Sequence, residues 1–272
     1  MIEKKNKLAT HRFLDEAGDT TVYGKGKTNI IGTNGVSNCF IIGMLKFKEP
    51  IETVREKIIS LQKKIIDDPY FNVPSIQKKT QGAGYYLHAT DDLPEVRKMF
   101  FDLIKTIDCS FEAVVSTKSV EKFESKYHGK EEYYYADLLS HLLKNKLTRK
   151  EEKLILHISG RGKSTKNNNL QLALAKAKER FGKRHEETPI TTDIVFNIEY
   201  PTVEPILNVA DYFCWVVQRV FEKGEIRFYD FLKDKISLVI DLDDSEKYAG
   251  YRNYYSPKNP LTVANKKSPL VH

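Results

Sequence analysis

The first apolar run, His11 to Leu14, is short and ends in Asp15-Glu16-Ala17-Gly18-Asp19, with a β-prone stretch from Thr20 to Tyr23 behind it. Gly18-Asp19 is a turn signal, so the pattern predicts a strand, a tight turn and a returning strand. Gly24 to Asn38 is rich in Gly, Lys, Thr and Asn and reads as a loop, and Cys39 to Phe47 is a continuous apolar run of strand length. Three strands in succession predict an antiparallel meander.

The rhythm then becomes helical. Ile51, Val54, Ile58, Leu61 and Ile65 recur at spacings of three and four behind Pro50. Leu93, Val96, Phe100, Leu103 and Ile107 share the face of a second helix, with Asp92 as its expected cap and Pro94 in its first turn. Strands are predicted at Phe111–Ser116, Lys153–Ile158, Ile194–Ile198 and Ser237–Asp241. Helices are predicted at Tyr134–Leu147, Asn168–Phe181 and Val203–Phe221. An antiparallel three-strand start followed by alternating helix and strand implies an α/β fold, a mixed sheet flanked by helices. No Pro-, Gly- or Ser-rich linker divides the chain, so residues 1–247 read as one domain and 248–272 as a C-terminal tail wrapping its surface.

Composition narrows the class. The 272 residues are 40% hydrophobic and 30% charged, as in a globular protein. A net charge of +7 favours polyanionic partners, nucleic acid above all. Cys39, Cys109 and Cys214 are too far apart for a disulfide framework or a cysteine-rich zinc site. With no apolar leader behind Met1 to Lys7 and no run long enough to span a bilayer, the expected setting is the cytoplasm, without a membrane partner.

Two carboxylates stand out. Asp15 and Glu16 follow Phe13-Leu14 at the end of a strand. Because strand side chains alternate, only one of them can face a common site. Asp211 sits on an otherwise apolar helix among Leu207, Ala210, Phe213, Cys214 and Trp215. Desolvating a carboxylate there is costly unless a buried Arg or Lys or a metal compensates. His88 precedes a helix beside Asp91 and Asp92, an arrangement suited to proton transfer. Gly160-Arg161-Gly162-Lys163-Ser164-Thr165 follows a strand and precedes a helix, but the NTPase phosphate loop needs glycine where His157 stands. The loop still suits a backbone phosphate through Arg161 and Lys163. In the tail, Tyr251 and Arg252 interleave aromatic and basic character, which suits stacking on unpaired bases or packing against the domain.

Phe13-Leu14-Asp15-Glu16-Ala17-Gly18, Leu87-His88-Ala89 and Asn208-Val209-Ala210-Asp211-Tyr212 together resemble the bacterial and phage family catalogued as domain of unknown function 3800, of the ribonuclease-H-like class. The resemblance implies a three-stranded meander opening, a metal-binding Asp on the first strand and a second on a late helix. These roles carry over to Asp15 and Asp211, with Glu16 and His88 as accessory groups and magnesium or manganese as the ion. The implied function is a metal-dependent nuclease acting on DNA or RNA. In such proteins the middle strands often end in an acidic residue, yet here they run into Thr117 and Ser159-Gly160-Arg161. Asp91 is then the candidate to complete the metal site, and a non-catalytic nucleic-acid-binding protein of the same fold is the competing class.

Overall fold

The computed structural model describes residues 9–33, 35–147, 153–160, 167–183, 189–244 and 253–267. Its strands are β1 Ala9–Ala17, β2 Cys39–Phe47, β3 Cys109–Thr117, β4 Lys153–Ser159, β5 Asp193–Glu199, β6 Ile236–Asp241 and β7 Tyr254–Tyr255. Its helices are α1 Ile51–Asp67, α2 Pro74–Gln81, α3 Pro94–Thr106, α4 Val120–Tyr127, α5 Glu131–Leu143, α6 Asn167–Gly182, α7 Leu207–Lys223 and α8 Arg227–Leu232. The strands form one mixed sheet in the order β5-β4-β1-β2-β3-β6-β7. β2 runs antiparallel to both β1 and β3, whereas β4 pairs parallel with β1 and β6 parallel with β3.

Alternation along β2 separates two apolar cores. Cys39, Ile41 and Leu45 face α1, α3, α7 and α8, while Phe40, Ile42 and Met44 face α4, α5 and α6. Burial on both faces explains why β2 reads as an unbroken apolar run. No helix among the described residues is long and apolar enough to cross a membrane.

Several expectations need correcting. Thr20–Tyr23 forms no strand; only Tyr23 makes an isolated bridge, to Asn29. Asp19 holds this segment instead, accepting hydrogen bonds from Thr21 N, Ser37 N and the buried Lys118 Nζ. The third antiparallel strand is therefore β3, reached only after three helices. Asp92 does not cap α3, whose N-cap is Leu93 with no side-chain cap bond. Its buried carboxylate accepts from His88 N and Tyr212 Oη instead. Helix α7 begins four residues later than its periodicity suggests, because Glu204-Pro205 disfavours helix and 200–204 close as a turn. Its end is set by Gly224, whose positive φ of 68° closes the helix through an N–H bond to Val220 O. The described tail does more than cover surface. Tyr255 pairs with Val239, and Tyr255 and Leu261 complete the core around α7.

Glycine at position 43 decides how close α7 comes to the sheet. A Cβ there would lie 2.3 Å from the Phe111 ring and 2.5 Å from Cys214 Sγ. We therefore expect Gly43→Ala to cost about 1–3 kcal/mol of stability by overpacking, measured by denaturant unfolding. An unchanged midpoint would mean that α7 is not seated this tightly.

The opposite face holds a pH-sensitive contact. Burial, with the neighbouring Arg180 charge, pushes the His141 imidazole on α5 down to about 3. The unfolded chain takes up this proton near pH 6.5 and the folded chain only near pH 3. Stability from this group is thus present above pH 6.5 and lost as pH falls toward 3. We expect a slope of up to about 1.4 kcal/mol per pH unit in that window, absent in His141→Leu. An equal slope in the variant would acquit His141.

Candidate functional site

β1 and α7 place their carboxylates on the same side of the sheet. Phe13 and Ala17 belong to the α7-side core and Leu14 to the other, so alternation turns Asp15 toward α7 and Glu16 away. Asp15 lies opposite Gly43 in the β1–β2 register, and Cys214 Sγ of α7 donates to Asp15 O at 3.2 Å. The glycine that lets α7 descend is thus the cross-strand neighbour of the first aspartate. One turn earlier on α7 stands Asp211.

Asp15 and Asp211 are 2% and 6% exposed, and both line one pocket of about 530 Å³. Tyr86, Leu87, His88, Ser159, Gly160, Tyr200 and Pro201 are among the described residues of its walls. Asp15 Oδ1 accepts from Glu16 N at 2.8 Å, and Asp211 Oδ2 accepts from Ala89 N at 2.7 Å. Backbone donors of this kind stabilise a buried carboxylate and fix its direction.

The segment from Tyr85 to Asp92 delivers His88. Its backbone N–H is tied to Asp92, and Asp92 is tied in turn to Tyr212 Oη (2.6 Å) and Lys79 Nζ (3.2 Å). The imidazole lies between two carboxylates, with Nδ1 3.0 Å from Asp91 Oδ2 and Nε2 3.6 Å from Asp211 Oδ1. The sequence placed His88 beside Asp91 and Asp92; the second carboxylate facing its ring is Asp211.

Two residues expected at the site are not brought there. Glu16 is buried on the other side of the sheet, contributing only its N–H to Asp15. Asp91 does not line the pocket; its side chain, 55% exposed, stands beside Nδ1 of His88. Arg161, Lys163, Tyr251 and Arg252 lie outside the described residues. The described tail tyrosines pack on the protein, with Tyr255 Oη donating to Asp244.

Sequence reading missed Tyr86, Ser159 and Tyr200 as pocket walls, and a second polar cluster below it. Phe13 pairs with His157, and His157 with Asn197, so His11, His157 and Glu199 share the α7 face with Asp15. His157 Nδ1 is 2.7 Å from Glu199 Oε2 and its Nε2 is 2.8 Å from His11 Nδ1. Its ring stacks on Phe13 at a centroid distance of 4.6 Å. Buried Glu204, in the turn before α7, is gripped by Arg55 of α1 through Nε and Nη2, the latter at 2.6 Å. The only local signal was a histidine within an otherwise aliphatic strand. The strand pairing that assembles the group is not local.

The tie from Asp92 to His88 predicts a positional effect. Removing the carboxylate in Asp92→Ala leaves His88 N and Tyr212 Oη unsatisfied, at a cost of about 1–3 kcal/mol each. We expect His88 to lose its fixed position, seen as broadening of its imidazole resonances by NMR. Sharp, unshifted resonances would show that His88 is positioned without Asp92.

No protein-family model matches the chain, and no curated protein matches it.

Proposed function

We propose that this protein is a metal-dependent phosphodiesterase of nuclease type, acting on DNA or RNA and built on a ribonuclease-H-like fold. The carrying observation is that Asp15 and Asp211, nearly two hundred residues apart, are both buried and line one pocket. The antiparallel β1-β2-β3 run, with one aspartate on β1 and the other on a late helix, also supports the reading.

Electrostatics argue for a cation. Two buried aspartates lining one pocket would repel a phosphate, and a divalent ion reverses that field. The donors are hard oxygens, which fit Mg²⁺ or Mn²⁺ held by Asp15 and Asp211. When bound, such an ion polarises a phosphoryl oxygen and acidifies water. The chain's own groups do the rest. Asp91 Oδ2 lies 3.0 Å from Nδ1 of His88, and Nε2 is the nitrogen turned toward Asp211 and able to move a proton. Tyr86 and Tyr200, the latter 63% exposed, offer apolar faces at the pocket to a base or sugar. Arg161 and Lys163 would bind backbone phosphate.

Ser159 favours a second reading. It occupies the end of β4, where a further carboxylate would complete a two-metal set, and its hydroxyl is a poor substitute for that charge. A nucleic-acid-binding protein that keeps the pocket without turnover is the alternative.

We expect cleavage of single- or double-stranded DNA or RNA only with Mg²⁺ or Mn²⁺, falling to background in Asp15→Asn and Asp211→Asn. Asn keeps the shape and removes the charge, so the variants should stay folded, and Mg²⁺ should raise the melting temperature of the wild type alone. If the aspartates are instead structural partners of a buried cation, the variants should lose about 3–5 kcal/mol whether or not metal is present. Metal-independent melting with no cleavage of any substrate would leave the binding reading.

Binding should weaken steeply with salt, since phosphate contacts release counterions. Replacing Arg161 and Lys163 by Ala should flatten that slope by about 1–2 units, measured by fluorescence anisotropy. An unchanged slope would remove the loop from the interface.

A further inference from the structure

We propose a second metal site, independent of the Asp15–Asp211 pocket, in which His157, Glu199 and Glu204 hold one divalent transition-metal ion. One ligand atom from each residue lies within 4.8 Å of the other two. Metal–nitrogen and metal–oxygen bonds of about 2.0–2.2 Å put ligand atoms roughly 3.3–4.2 Å apart. Closure around an ion thus needs only side-chain rotation, and partly exposed Glu199 has room to move.

The surroundings of the donors suit ligation. The His157 ring is fixed by stacking on Phe13, with centroids 4.6 Å apart, and by the His11 ring beside it. Nδ1 points at Glu199, and Nε2 at His11 Nδ1 2.8 Å away. A ligating histidine commonly donates its other ring N–H to an acceptor, which sets the tautomer. His11 can be that acceptor, and His157 Nδ1 then carries the lone pair on the side of Glu199. Arg55 plays a matching part for Glu204, holding its carboxylate from outside and offsetting one of the two negative charges. Arg55 also pairs with Glu52, so the two carboxylates of the group leave excess negative charge in a largely buried place, which a bound cation offsets.

The ligand set separates this site from the first. One imidazole and two carboxylates suit Zn²⁺, Mn²⁺, Fe²⁺ or Co²⁺, whereas the all-oxygen pair Asp15 and Asp211 suits Mg²⁺. The sites are nevertheless neighbours. His157 and Ser159 lie two residues apart on one face of β4, about 6.6 Å at strand rise, and Ser159 lines the pocket. An ion at His157 would stand beside the position where β4 lacks its carboxylate.

Co²⁺ titration of the chelator-treated full chain tests this, read by the visible absorption of protein-bound cobalt. We expect an intensified band saturating at one equivalent, displaced by Zn²⁺ and retained in Asp15→Asn and Asp211→Asn. The band should vanish in Glu199→Gln, a near-isosteric change at a partly exposed position. His11→Ala, which removes the acceptor, should weaken binding about 10–100-fold. Far-UV circular dichroism confirms folding of each variant. A wild-type spectrum no different from cobalt in buffer overturns the proposal. So does a band that survives Glu199→Gln and disappears in Asp15→Asn, which would place the ion in the first pocket and leave the nuclease reading standing.

Discussion

The close approach of α7 to β1 and β2 over Gly43 is the contact on which the other features depend. A helix carrying Phe213, Trp215 and Phe221 would ordinarily stand about 10 Å off a sheet. The missing side chain at 43 lets Phe111 and Cys214 fill the gap from either side. Cys214 then reaches the backbone of Asp15, and Asp211 follows one turn away at the same pocket. A methyl group at this position would act on stability and on the site together.

Where α7 covers the sheet, the sheet is apolar; beyond its N-terminus the same face turns polar. On that face His11, Asp15, His157, Ser159 and Glu199 of β1, β4 and β5 gather around Phe13. The turn over 200–206 lays Glu204 and Tyr200 across this edge. Buried polar groups need partners, and these have them in chains. Asp92 joins Lys79, His88 and Tyr212, while His157 joins His11 and Glu199. Such networks fix side-chain direction, which a site holding a cation or moving a proton requires.

The opposite face is arranged for stability. α5 and α6 pack around Asp137, Arg180 and Ser140. Burial pushes the Asp137 carboxyl up, and hydrogen bonding and charge from Arg180, with Lys126 3.0 Å away, outweigh it and hold the group well below the carboxylate range. Acid would therefore strike this face through His141 first and through Asp137 at lower pH.

By itself the sequence determined the periodic elements: β2 to the residue, and α1, α3, α6 and β4 to within one or two residues, because burial on a fixed face imposes period 2 or 3.6. It also marked Asp15, His88 and Asp211, since a carboxylate or imidazole among apolar neighbours is a local anomaly. The short helices α2, α4 and α8 left too few turns to establish a period. Thr20–Tyr23 had strand propensity, but Asp19 drew it into hydrogen bonds with Ser37 and Lys118, the latter nearly a hundred residues away. Only the tertiary structure decided that Asp92 serves His88 rather than capping α3, and that Glu16 turns away while Asp211 faces His88. It alone joined His157 to Glu199 and Glu204. Each of these outcomes depends on which strands become neighbours, and strand pairing is set by long-range burial that no local window of sequence contains.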